Sequence, residues 1–273
     1  MKNFNLLIIT LLLPLTYQCA ADVEQPIELD PITTTAVETD YEDNVVLDID
    51  LATITNNYVN LSSYDGQTVH IGGQYIGDRV VLQNVSNVEI VFHNCHIEST
   101  HAEDALVFAD ASVSNLIVEG DGLHLSGGGI TFWGHLDQVQ LRGGTITNGH
   151  TGIRATQDLA HRHVSVSNWH ISHMTHEGIY LGVSQDTDKD NQHFHVFDNT
   201  IENTGWDAIQ VGNVQQFYIY NNSIKRAGIS QDYGQDYGAT INPGSLGYFY
   251  QNEIVETAKP IQILESRVFF HAP

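Results

Sequence analysis

Basic residues are scarce in this sequence. Its 273 residues include 10 Lys and Arg against 33 Asp and Glu, a net charge of −23 with the histidines neutral. After Lys2 the first basic residue is Arg79. A chain without a basic footprint is not built to hold nucleic acid. It holds a polyanion only where a bound cation reverses the local sign. Cysteine is nearly missing, with only Cys19 and Cys95. Once Cys19 is removed or modified on export, Cys95 stands alone and no intrachain disulfide can staple the fold. After the first twenty residues no apolar run is long enough to span a bilayer. No stretch of helical periodicity a dozen residues long is present either. What remains is 41% hydrophobic, too apolar for a disordered chain and enough for one large core.

The N-terminus reads as an address. Lys2 precedes the apolar run Leu6-Leu7-Ile8-Ile9-Thr10-Leu11-Leu12-Leu13-Pro14-Leu15, the length of a secretory h-region. Thr16-Tyr17-Gln18-Cys19 resembles a loose bacterial lipobox, which makes Cys19 a lipidation site. Gln18 departs from the small residue usual before that cysteine. Cleavage after Ala21 is the competing reading. Either way the protein is expected outside the cytoplasm, as an outer-membrane or cell-surface lipoprotein or as a secreted protein. Any membrane attachment comes through the lipid alone. Residues 1–21 are thus a signal segment. Residues 22–44, acidic and rich in Thr and Pro, are a solvated tether. Residues 45–273 form the folded domain.

That domain repeats. An apolar residue, a turn-type residue two later and an aliphatic one three after that recur as Phe92-Asn94-Ile97, Val118-Gly120-Leu123, Leu141-Gly143-Ile146, Val166-Asn168-Ile171, Val196-Asp198-Ile201, Ile219-Asn221-Ile224 and Phe249-Gln251-Ile254. Successive units are spaced by 26, 23, 25, 30, 23 and 30 residues. A third apolar position follows at Ala105, Ile130, Ile153, Ile179, Ile209 and Ile261, and near Thr240 in the coil carrying an insertion. Within each unit the pattern has period two. Asn, Asp and Gly at the turns suit a left-handed backbone. Three short strands per unit, unable to bury their apolar side alone, predict an all-β solenoid of eight or nine coils. Val45–Leu51 alternates and is expected to cover its first coil. The chain ends at Phe269-Phe270-His271-Ala272-Pro273 without a polar cap, a pattern that fits further coils or self-association; the isolated domain is expected to be a monomer.

In Asn87-Val88-Glu89-Ile90, Asn199-Thr200-Ile201, Asn203-Thr204-Gly205-Trp206-Asp207-Ala208-Ile209 and Asn221-Asn222-Ser223-Ile224, the sequence resembles the right-handed parallel β-helix proteins of the pectin-lyase-like superfamily. The resemblance spans roughly residues 66–270. It implies a β-helix fold. It also implies an activity among the polysaccharide lyases, polygalacturonase-type hydrolases and epimerases. The polygalacturonase set of Asn-Thr-Asp, Asp-Asp, Gly-His-Gly and Arg-Ile-Lys is not met. Gly149-His150-Thr151 is its nearest approach.

Stacked coils set equivalent residues about 4.8 Å apart, so columns can be read. If Val196, Ile219 and Phe249 point inward, His195, Phe197, Tyr218, Tyr220, Tyr248 and Tyr250 point outward. Their rings offer a platform for sugars, unless the loop 226–239 folds over them. A second column, Asp104, Gly128, Thr151, Glu177, Asp207, Gly238 and Lys259, precedes the third strand. There Glu177 and Asp207 sit on adjacent coils, and such a pair splits into an acid and a base. Their separation would distinguish retaining from inverting hydrolysis. His150, His173 and His176 fall near the same turn, with Trp206 beside Asp207 and with Arg154 and Tyr180 projecting from the strands that follow. Equally, acidic residues before Gly-Ile or Ala-Ile cap turn amides in many repeat proteins. A lyase would need a base and a cation near a uronate, for which Lys225, Arg226, Arg154 or calcium are the candidates. Asp186, Asp188 and Asp190 alternate in one loop and suit calcium, although Asn191 and Phe197 depart from the EF-hand pattern. No zinc spacing exists among the fifteen histidines.

Two functions follow as expectations. The first is an extracytoplasmic carbohydrate-active enzyme, a lyase or a glycoside hydrolase. The second is a non-catalytic glycan-binding or adhesive surface module. Fold alone does not choose between them.

Overall fold

The structure, a computed structural model, describes residues 47–54, 56–101, 103–155, 159–183, 191–230 and 235–273. Among them the secondary structure is strand and turn, with one short 3-10 turn, Leu51–Thr53, and no helix able to cross a membrane. All strand pairing is parallel and every pairing joins one coil to the next, as a β-solenoid requires. Nine strands make the third face, one per coil. The first and second faces belong to one folded sheet of 16 strands, joined through the long strands Thr68–Gly77 and Glu89–Ser99. Further along, separate strands share the work. Val214–Tyr220, for example, lies on the first face, Ser223–Lys225 on the second and Tyr237–Ile241 on the third.

The corners between faces are made by residues in the left-handed region. Asn94, Gly143, Asn168, Asp198, Asn221 and Gln251 turn the first face into the second, with φ between 45° and 71°. Gly127, Asn148, His173, Asn203, Arg226 and Glu256 turn the second toward the third, with φ between 52° and 80°. Each of the second set stands two residues after an aliphatic side chain of the second face, which is the spacing visible in the repeat. Side-chain amides are favoured at such corners because they cost least in this conformation.

The core is a bundle of aliphatic columns. One runs Leu125, Ile146, Ile171, Ile201, Ile224 and Ile254. Another runs Leu106, Ile130, Ile153, Ile179, Ile209, Ala239 and Ile261. Three expected members shift. Leu125 rather than Leu123 aligns with Ile97, because the corner at Gly120-Asp121-Gly122 is longer than the others. Leu106 replaces Ala105, where the pairing slips by one residue. Ala239 replaces Thr240, so Thr240 pairs with Gln210 in the alternate, outward set.

An asparagine ladder runs beside the first corner. Asn199 Nδ2 donates to Asn222 Oδ1 at 2.9 Å, and Asn222 Nδ2 donates to Asn252 Oδ1 at 2.9 Å. The same oxygens accept the backbone N–H groups of Asn199 and Asn222 at 3.1 and 3.0 Å, and the amide nitrogens reach the carbonyls of Val166, Val196 and Ile219. In the coil before, Trp169 takes the ladder position and its N–H donates to Asn199 Oδ1 at 3.0 Å. Its indole occupies the space over Gly144, where a Cβ would lie 2.4 Å from Cζ3. At the N-terminal end the strand Leu47–Asp50 adds to the first face, and Asp50 caps the turn that buries Leu51.

Asn222 is 99% shielded and each of its polar atoms is bonded. Removing its amide strands partners on both adjacent coils. Asn222→Ala is expected to lower the unfolding free energy by about 3 kcal/mol, at roughly 1–3 kcal/mol per stranded buried group. Urea denaturation with an unchanged slope would show it.

Candidate functional site

The corner leading into the third face gathers chemistry. On three successive coils it carries His150, His176 and Trp206, linked by His176 N–H to His150 O at 2.8 Å and Trp206 N–H to His176 O at 3.2 Å. Their rings stack: the two imidazoles have centroids 3.5 Å apart, and His176 lies 3.4 Å from Trp206 at 19°. The next residues in each coil are Thr151, Glu177 and Asp207. Gly152 N–H donates to Glu177 O at 3.0 Å and Gly178 N–H to Asp207 O at 3.2 Å, which sets the two acidic residues one above the other. Two or three residues on, Arg154 and Tyr180 are register partners on the third face. His150, Thr151, Arg154, His176, Glu177, Tyr180 and Trp206 line one pocket of about 140 Å³. That is well below the several hundred Å³ of a site for a whole drug-sized ligand, so it admits one ring-sized group.

Its acid–base groups are all displaced toward neutrality. Glu177 is 4% exposed. Burial raises its pKa, the Thr151 hydroxyl at 3.2 Å from Oε2 opposes the shift, and the charge of Asp207 adds to it. Asp207 is 1% exposed. Burial lifts it to about 6, against the nearby Thr240 hydroxyl and the Tyr237 N–H, which donates to Oδ1 at 2.9 Å. Burial lowers both imidazoles, His176 to about 4, helped by the neighbouring His150. At neutral pH the pocket therefore presents uncharged imidazoles beside a carboxyl that keeps its proton longer than usual. Its fixed cation is Arg154, held by Asp104 at 3.2 Å and Glu103 at 3.3 Å. Asp104 is itself buried, and also binds Arg79 at 3.0 Å and accepts from the Thr131 hydroxyl.

The sequence columns meet this geometry unevenly. Glu177, Asp207, His150, His176, Arg154, Tyr180 and Trp206 converge, with Asp207 behind the pocket wall and not among its lining residues. In the acidic column Tyr237, not Gly238, follows Asp207 and precedes Lys259, because the inserted loop ends one residue earlier than the spacing suggests. Lys225 is elsewhere, on the second face, paired to Glu256 at 3.3 Å. Arg226 pairs with Glu256 at 3.0 Å. Glu103 and Arg79, which anchor Arg154 and its partner Asp104, were not singled out from the sequence. Glu103 adjoins the acidic column, but Arg79 lies one coil before Asp104 and leaves no local signal. Phe197, Tyr218, Tyr220, Tyr248 and Tyr250 lie in register on the first face, away from the pocket. Among the described residues of the loop, Gly228, Ile229 and Ser230 bond to the preceding coil at Trp206, Thr204 and Gly205, on the pocket side. Asp186, Asp188 and Asp190, like Cys19, lie outside the described residues. Among the described residues no group of three or more His, Cys, Asp or Glu is placed to hold a metal ion.

Some of the remaining histidines pair by stacking. His96 lies over His124 at 4.9 Å and His163 over His193 at 4.8 Å, with His163 also bonded to Asp137 at 3.0 Å. His135 bonds the carbonyl of Ala160, and His161 is fully buried, its Nδ1 accepting from Leu136 N–H at 3.3 Å. Cys95 is buried and free, its thiol pushed up to about 12, so it is inert as a nucleophile. No family model, curated protein or solved structure matches the chain.

Asp207 gives a pH signature. Its folded pKa, about 6, lies above its ordinary 3.8. Its contribution to stability is therefore full below pH 4 and is lost as the pH rises through 6. Asp207→Asn keeps an oxygen for Tyr237 N–H and cannot ionise. Relative to the native chain it is expected to gain stability between pH 4 and 7, by about 3 kcal/mol for a shift of some two units. Paired melting curves at the two pH values would show this.

Proposed function

We propose that this chain is an extracytoplasmic, carbohydrate-active β-helix protein of the pectin-lyase-like kind that binds a polysaccharide and cleaves it at the His176–Glu177 pocket. The observation that carries the reading is Glu177: a carboxyl raised by burial, lining a ring-sized pocket beside neutral imidazoles and an indole. A carboxylic acid whose pKa is raised by burial is suited to protonate a glycosidic oxygen as the bond to the anomeric carbon breaks. His176, uncharged at neutral pH, accepts the proton of the attacking water. Asp207 does not touch substrate in this scheme and acts through Glu177, whose proton it helps to retain. Trp206 and Tyr180 supply apolar surface for a sugar ring. Arg154 is already neutralised by Asp104 and Glu103, and the chain is strongly acidic, which favours a neutral glycan over a uronate.

The export address supports a site of action outside the cytoplasm, with Cys19 as its lipid anchor. Calcium at Asp186, Asp188 and Asp190 is proposed as an accessory ion of the same protein, and it would serve the polymer itself only if that polymer were anionic.

The test is incubation with neutral and uronic polysaccharides, with and without calcium, following reducing ends and the ultraviolet absorbance of unsaturated uronates. Release of reducing ends without that absorbance is expected. Glu177→Gln is expected to lower it at least 100-fold, within the usual range for a general acid, while melting temperature and polymer binding hold. Unsaturated products would replace hydrolysis by elimination. Binding without any cleavage would leave a glycan-binding module and remove Glu177 from the chemistry.

A further inference from the structure

The first face carries two aromatic ladders. In register along the coils run His195, Tyr218, Tyr248 and Phe269, and beside them Phe197, Tyr220 and Tyr250. Ring centroids in the first ladder are 4.6, 5.4 and 5.1 Å apart, and in the second 5.0 and 5.2 Å at 3° and 4° between planes. Rings stacked this way spend their faces on each other, so the platform expected from the sequence is not what solvent meets. Solvent meets edges and hydroxyls. Each ladder starts where Ser165 and Ser167 stand in the preceding coil.

The four tyrosine hydroxyls form two short rows side by side, Tyr218 with Tyr248 and Tyr220 with Tyr250, across two successive coils. Tyr218 responds to the charge of Tyr248 and Tyr250, and Tyr220 to that of Tyr250, so the phenol tips lie near one another. No ionised side chain stands within either ladder, since His195 is held to about 4 by burial and stays neutral. On a chain of net charge −23, an uncharged strip of this kind fits an uncharged partner. The hydroxyls repeat with the coil, about 5 Å. A neutral glycan in the flat ribbon form of an equatorially linked chain advances by a comparable step per sugar.

We infer that the paired tyrosine ladders are a second, non-catalytic binding strip for a neutral, β-linked glycan ribbon lying along the solenoid axis, one sugar to each coil. The inference rests on the polysaccharide class proposed above, and not on cleavage. Ring edges and hydroxyls contact the sugars' own hydroxyls, and the ribbon's repeat matches that of the coil. A helical α-linked glucan, whose hydroxyls do not repeat in a line, is rejected by the same geometry.

The test is Tyr→Phe at Tyr218, Tyr220, Tyr248 and Tyr250 together, which keeps the stacked rings and removes both rows of hydroxyls. With the purified full chain, binding is measured to cellohexaose and regenerated cellulose, with amylose and polygalacturonate as controls. Expected are binding to the β-linked glucans over both controls, and at least a tenfold loss in the quadruple variant with its melting temperature unchanged. Reducing ends are followed in the same samples, so loss of cleavage and loss of the strip are read separately. Binding that survives the four substitutions, equal binding to amylose, or a dimer that the substitutions dissolve would each overturn the inference.

Discussion

Coil-on-coil register is the constraint on which everything else in this protein depends. Every parallel pairing sets a residue over its counterpart one coil away, and the core columns, the corners and the asparagine ladder are that translation repeated. The ladder of Asn199, Asn222 and Asn252 shows why the register does not slip. Each amide bonds the amide above and also a backbone group. A displacement by one residue would strand several buried polar groups at once. The left-handed corners act in the same direction, since amide and glycine positions recur only at the correct phase.

The same translation makes the candidate site. Stacking brings like next to like, a costly arrangement for charge. Asp207 adds to the burial that raises the Glu177 carboxyl, and His150 adds to the burial that depresses the His176 imidazole. A pocket built this way shifts its carboxyls up and its imidazoles down. Burial is the largest cause at each group. Arg154, with Asp104 and Glu103, sets a neutralised cation at the pocket's edge.

Repetition has the opposite effect on the first face. There the stacked groups are aromatic and uncharged, so stacking is favourable and the ladders assemble from their own contacts. The consequence for binding is geometric. A lone exposed ring offers its face, whereas a ring inside a ladder offers its edge. Tyr218 and Tyr220 therefore contribute through hydroxyls and rim, and Trp206, stacked on a small imidazole at the end of its own short column, remains the better candidate for contact with the plane of a sugar.

The amino-acid sequence by itself determined the solenoid, its three strands per coil, the outward aromatic columns and the adjacency of Glu177 and Asp207. These follow from period-two alternation and turn residues at a regular spacing, which are local quantities. Where the spacing was irregular, counting along the chain lost the phase: Leu125, Ala239 and Tyr237 each stand one or two positions from the residue expected. The tertiary structure alone decided which columns share a face. It placed Lys225 with Glu256 on the second face, moved the tyrosines away from the pocket, set Asp207 behind Glu177, and brought Arg79 and Glu103 to the support of Asp104 and Arg154. Those outcomes depend on where each corner turns and how long each insertion runs. They are sums over the whole coil, and no single stretch of sequence contains them.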